Sequence, residues 1–146
     1  MAFRQRFKIA HDEYFHAGAF ILSPVTPVFD FDRSTKDNKI QQVDKDTGLL
    51  LWQIDVLDAD PEANKAMRTV TVKFAAKVQP IPPHNDGPSP FTPVEFVGLT
   101  ALMYVQQSGD FSRVMLSFRA NDMVAPGKAP ASAPSGGNSA SGSKAA

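Results

Sequence analysis

Apolar and polar side chains alternate over short stretches along most of this chain, the period of strands rather than of helices. The clearest stretch is Thr69–Val78, where Val70, Val72, Phe74, Ala76 and Val78 share one face and Thr69, Thr71, Lys73 and Lys77 the other. Leu49–Leu57 repeats the pattern, with Leu50, Trp52, Ile54 and Val56 on one face and Gln53 and Asp55 opposite. Ahead of it, Ala19–Leu22 and Val28–Asp32 flank Pro24 and Pro27. They predict one sharply bent strand, because an interior proline removes a ladder donor and a bend relieves the loss. Val94–Gln106 and Arg113–Ala120 pair as a hairpin through Gln107-Ser108-Gly109-Asp110, with Val114, Leu116 and Phe118 as its apolar face. Between the third and fourth strands, Pro80–Pro93 holds six prolines and Gly87, which no regular element tolerates, so a long ordered loop is expected. Asp60–Ala66 predicts one or two helical turns, with Asp60 as cap, Pro61 in the first position and Glu62 in the first turn. In Phe3–Ile9, Phe3, Phe7 and Ile9 alternate with Arg4, Arg6 and Lys8; an edge strand with a positive outer face and a helix are both compatible with this.

Five strands with a bent first member and a long third connection predict an all-β chain: a small five-stranded OB-like barrel with a short helical turn, in which the proline-rich loop replaces the usual helix before strand four. A β-sandwich is the alternative. The 146 residues suit one domain, and 42% hydrophobic with 21% charged residues is a globular balance. Composition changes abruptly after Val124, where only Ala, Pro, Gly, Ser, Asn and Lys follow. Such a segment has nothing to repay its ordering entropy, so the expected division is a β-barrel domain over 1–124 and a disordered tail over 125–146. At the other end, Asp12 and Glu13 separate Arg4, Arg6 and Lys8 from the apolar Ala17–Leu22, and Pro24 ends that stretch early. No targeting signal or membrane span is expected there, which predicts a soluble, cytoplasmic protein with no membrane partner.

Lys plus Arg equals Asp plus Glu at 15 each, so no overall charge selects a polyanionic partner and any electropositive site must be local. Taking the tail's two lysines from the fifteen basic residues leaves thirteen against fifteen acidic ones in 1–124. The chain has no cysteine, which excludes disulfides, thiolate metal sites and a Cys nucleophile. Asp44-Lys45-Asp46-Thr47-Gly48 begins like a calcium loop, but no Glu closes it at the twelfth position, and a plain turn is the better reading. Asp55, Asp58 and Asp60 are close in sequence, yet Asp55 and Asp58 project to opposite faces of a continuing strand. His11, His16 and His84 form no metal spacing and read as exposed or capping residues. With no phosphate loop, nucleophile elbow or Ser/His/Asp arrangement, a non-enzymatic protein without a cofactor is expected.

Nucleic-acid binding is signalled by a distribution rather than a motif. Arg33, Lys36, Lys39 and Lys45 occupy the connection between the first two strands, while Lys73, Lys77, Arg113 and Arg119 take outward positions on the third and fifth. On an OB-like barrel single strands run over those places. Asp37, Asp44 and Asp46 share the same connection, and ordinary solvated lysines are the competing reading. Tyr104 is the better stacking candidate, since Trp52, Phe29 and Phe31 share the parity of core residues.

The stretch from Asp30 to Pro83 resembles the plasmid replication, integration and excision activator family of actinobacterial plasmids and integrative elements. The strings Asp-Lys-Asp-Thr-Gly-Leu (44–49), Trp52, Asp-Val-Leu-Asp-Ala-Asp-Pro-Glu-Ala (55–63) and Thr-Val-x-Val-Lys (69–73) carry the resemblance, joined by Pro-Val-Glu-Phe-x-Gly-Leu (93–99). It implies a role in the replication and mobility of a DNA element and carries over no catalytic or binding residue. A standard bacterial single-strand binding protein is disfavoured, because its acidic, hydrophobic tip is replaced here by Ser143-Lys144-Ala145-Ala146. The expectation is therefore a non-enzymatic accessory or activator protein, with single-stranded DNA or a replication or recombination protein as candidate partners. The competing reading is a protein-binding regulator with no DNA contact, docking through the sheet surface and the Pro80–Pro93 loop.

Overall fold

The computed structural model describes residues 6–129. Nine strands form one mixed, curled sheet: β1 Phe7–Lys8, β2 Ala19–Ile21, β3 Thr26–Pro27, β4 Leu50–Asp58, β5 Thr69–Ala76, β6 Pro93–Val97, β7 Thr100–Ser108, β8 Phe111–Ala120 and β9 Asp122–Val124. Their order is β1-β7-β8-β5-β4-β2-β6-β9, with β3 pairing β4 beside that path. The sheet is a half-barrel that stays open. A closed five-stranded barrel and a two-sheet sandwich are both replaced by this single sheet.

The expected bend follows Ala19–Ile21, but the strand resumes at Thr26–Pro27, and Val28–Asp32 forms no strand because the chain leaves the sheet there. Ile21 pairs Val56 and Thr26 pairs Gln53, so five steps on one side meet three on the other across Ser23-Pro24, and the Ser23 hydroxyl accepts the Asp55 N–H at 3.1 Å. The second and third strands pair antiparallel from Leu50↔Ala76 to Leu57↔Thr69 in the predicted register of faces. Residues 77–92 form no helix or strand, as the prolines require.

The hairpin differs most from expectation. It runs from Pro93 to Val124 in one unchanging register, Val97↔Asp122 on one side of a break and Thr100↔Arg119 on the other. The break falls at Gly98, whose φ of +67° and approach to Asn121 leave no room for a side chain: a Cβ would lie 2.3 Å from Asn121 Nδ2. Its turn shrinks to Gly109-Asp110. Beyond the break, β8 meets β5 in a parallel pairing of only three residue pairs, Val72↔Phe118 to Phe74↔Ala120, and then parts from it. The barrel fails to close there because the rest of β7 and β8 continues as a two-stranded arm.

The core unites Val25, Ile54, Val56, Val72, Phe74, Val94, Phe96, Ala101, Phe118 and Met123 with Phe15. Phe15 follows a single helical turn, α1 His11–Tyr14, which the sequence pattern did not predict. Its Glu13 carboxylate accepts the Ala10 N–H at 3.0 Å, and Tyr14 packs on Phe118 with ring centroids 4.6 Å apart. The predicted turn near Asp60 is a 3₁₀ turn shifted to Lys65–Met67. Trp52 packs partly buried against the core, its indole N–H donating to the Ala76 carbonyl at 3.0 Å. Phe31, expected to share that packing, is 93% exposed, and Phe29 is exposed too. The 28–43 segment leaves the sheet as an excursion closed by the Phe29↔Gln41 bridge, so strand parity does not govern its side chains. Of the expected tail, residues 130–146 lie outside the described residues, and Gly127 N–H donates to Glu95 Oε1 at 2.8 Å.

Candidate nucleic-acid interface

Register places Gln53, Lys73, Arg119, Thr100 and Lys8 in one row across β4, β5, β8, β7 and β1, on the face turned away from the core. Residues directly opposite across a ladder share a face, so alternation continues this face outward along the arm through Ser117, Tyr104 and Arg113. Four of the nine predicted residues, Lys73, Tyr104, Arg113 and Arg119, are therefore on one surface.

Arg119 organises its centre. Its Nη1 donates to Asp44 Oδ1 at 3.0 Å, with side chains 26% and 8% exposed, and its Nε is buried without a partner among the described residues. Asp44 belongs to the turn read above as a calcium-like start. The Thr47 hydroxyl donates to its Oδ2 at 2.6 Å, and Gly48, with φ of +75°, closes the turn by donating its N–H to the Asp44 carbonyl at 2.8 Å. The Thr47 hydrogen bond, followed by Arg119, holds the Asp44 carboxyl below the usual carboxylate range despite burial. The excursion is tied to Leu51, a buried residue of the outer face, through the Gln41 side-chain amide, which donates to the Leu51 carbonyl at 2.8 Å.

Arg6 adds a second guanidinium, which the site residues chosen from sequence omit although the Arg4/Arg6/Lys8 alternation points to it. It donates to the Ser117 carbonyl at 2.9 Å and the Ser117 hydroxyl at 3.2 Å. Burial first, and then the charge of Arg119, lowers the Arg6 pKa. Lys73 is lowered in the same way, by burial and then by Arg119 and Arg6. Arg6 and Lys73 thus both lie within electrostatic reach of Arg119, which Asp44 pairs. Arg6, Lys45 and Arg119 also line an open concavity of ≈ 640 Å³ with Asp44 and Asp46.

The remaining predicted residues stand apart from this row. Arg33, Lys36 and Lys39 are exposed on the excursion, and Lys77 is exposed beyond the end of β5. The three acidic residues divide as alternation requires. Asp55 accepts the Thr71 hydroxyl at 2.6 Å on the outer face, Asp58 is buried and accepts the Asp60 N–H at 3.1 Å, and Asp60 lies 3.1 Å from exposed His16. No group of three or more His, Asp or Glu among the described residues is placed to hold a metal ion. His11 is not an exposed residue: its Nδ1 accepts the Phe96 N–H at 3.2 Å, and its ring lies between Phe15 and Phe96, at centroid distances of 5.1 and 5.8 Å.

Fold and face together define a mostly-β protein on one open curled sheet with a locally cationic outer surface. No family matches the chain, and neither a curated protein nor a solved structure matches it. No described helix is long and apolar enough to cross a membrane.

Proposed function

We propose that this protein is a non-enzymatic accessory factor in the replication, integration and excision of a plasmid or integrative element, binding single-stranded DNA across the outer face of β5, β8 and β7 in the cytoplasm. The placing of Arg6 and Lys73 close to Arg119, whose own carboxylate partner is Asp44, carries this reading. Cations held close together against their own repulsion are relieved by phosphate, and counterion release then supplies the affinity. Tyr104, on the same face and 43% exposed, offers a ring on which a base can stack. The accessory role itself rests on the resemblance in residues 30–83 and 93–99.

A second reading, a protein-binding regulator, is favoured by one observation: Val78, Ile81 and Phe91 stand exposed along the proline-rich loop. Fluorescence anisotropy with labelled single-stranded and duplex oligonucleotides at two salt concentrations separates the two. Salt-sensitive binding that prefers the single strand and weakens in Lys73→Gln and Tyr104→Ala supports the first. An intact protein that binds neither DNA at low salt moves the regulator reading ahead.

A further inference from the structure

The outer face does not end at the Arg119 row. Along the arm it continues through Leu102↔Ser117, Tyr104↔Met115 and Gln106↔Arg113 to Ser108↔Phe111 at the tip, because partners across a ladder share a face and alternate residues return to it. One combination of side chains recurs along this path. Lys73 and Tyr104 line a concavity of ≈ 440 Å³ where β5 and β8 part, and Arg113 and Phe111, with Gln106 and Ser108, line a smaller one of ≈ 180 Å³ at the tip. Each hollow brings a cation and an exposed aromatic ring to one place. Tyr104 is 43% and Phe111 78% exposed, so neither ring is taken up by the core.

We propose that the hollow at the tip holds one base of a single DNA strand, stacked on Phe111, with an adjoining phosphate on Arg113. This rests on the single-strand reading above and carries the strand from the Arg119 row to the end of the arm. Size and charge select the occupant. At ≈ 180 Å³ the hollow is smaller than the ~300–1,000 Å³ of pockets that enclose a drug-sized ligand, whereas a planar base needs only an exposed ring to lie on. Between the Arg119 row and the turn this face carries no carboxylate, and Asp110, the arm's one acidic residue, lies in the turn beside Gly109. No carboxylate on its own face therefore competes with a phosphate for Arg113. The Gln106 amide adds donors and an acceptor for a base edge. Spacing selects a single strand. Tyr104 and Ser108 lie four residues apart on β7, which sets the level of Tyr104 about 13 Å from that of Phe111, whereas stacked bases follow one another at ~3.4 Å. Rings so far apart take bases drawn out of the stack, which a paired duplex yields only at a cost.

The eight residues from Arg119 to Phe111 span about 27 Å, so a labelled oligothymidylate of about twenty nucleotides covers the face even when stacked at ~3.4 Å per step. In anisotropy titrations of the full chain with it, Phe111→Ala should weaken binding at least about fivefold, the low end for one stacked base. The salt dependence should stay unchanged, because a ring releases no counterion. Phe111→Trp should bind at least as tightly as the parent. Its indole emission, read above that of Trp52, the chain's own tryptophan, should be quenched by the single strand and not by its duplex with oligodeoxyadenylate. Both variants should melt like the parent, since Phe111 lies outside the core. If Phe111→Ala binds like the parent, or the Phe111→Trp emission fails to respond or responds equally to the duplex, the tip holds no base; a loss of binding in Lys73→Gln then shows that the single-strand reading stands without this extension. A parent that binds no single strand at low salt overturns both.

Discussion

Protonating His11 would set a cation against the Phe96 N–H that its Nδ1 accepts, and between two phenyl rings. Burial accordingly lowers its pKa, against the weaker upward pull of Glu95 and Asp12. A histidine depressed in the fold contributes stability that is complete above its unfolded pKa of about 6.5 and is lost as pH falls from there through the lower folded value. Thermal melts between about pH 7.5 and 5 should show that loss, and His11→Gln, which keeps an acceptor but cannot take up the proton, should flatten it. A melting temperature that falls equally in both proteins would place the titration elsewhere. Asp44→Asn tests the other buried contact. Removing a charged hydrogen bond should cost about 2 kcal/mol by chemical denaturation, since Arg119 keeps water on part of its guanidinium. The outward position of Arg119 was legible from alternation, but its partner was not: Asp44 comes from a turn 75 residues away, and pairing at that separation leaves no local periodicity. Phe31 misled for a related reason, because parity carries information only while the chain stays in a ladder.

At the scale of elements, strand period and proline placement showed β2, β4, β5 and the bare loop before β6, and set the second half of the bent strand at Val28–Asp32, past where β3 forms. They left out α1, a single turn too short for helical periodicity, and the division of the hairpin, which depends on one glycine. Gly98→Ala should therefore be costly out of proportion to its size. A non-glycine residue pays about 1–2 kcal/mol at positive φ, and the added Cβ must also displace Asn121. A loss of about 2 kcal/mol or more is expected in urea titrations, and Asn121→Ala in the same chain should recover part of the steric share only. Trp52→Ala should cost about 3 kcal/mol, near the low end for a large aromatic, because the ring is only partly buried yet anchors the Ala76 carbonyl. A near-neutral result would show that the indole contributes little to packing β4 on the core.

Taken whole, the molecule is neutral but unevenly so, and formal charge is a poor guide to its surface. If Lys73 and Arg113 each neutralise one phosphate, replacing both with glutamine should flatten the logarithmic salt dependence of single-strand binding by about 1.4, from roughly 0.7 per contact. Lys128→Gln, away from the row, should leave it unchanged. The strand-rich class was readable from the sequence, whereas the openness of the sheet was not, since closure depends on whether β8 stays with β5. That parallel contact joins segments 46 residues apart by three residue pairs, against the eight that join β4 to β5. Beside that short ladder, β8 is held at this seam by aromatic contact, with Tyr14 and Phe15 packed on Phe118, while β2 pairs β6 at the far side of the hairpin. Apolar association weakens on cooling. Near 5 °C, a temperature chosen as roughly where that weakening is felt, amides pairing β5 with β8 should lose protection against hydrogen exchange sooner than those between β4 and β5, making this seam the place where a cold molecule first comes apart.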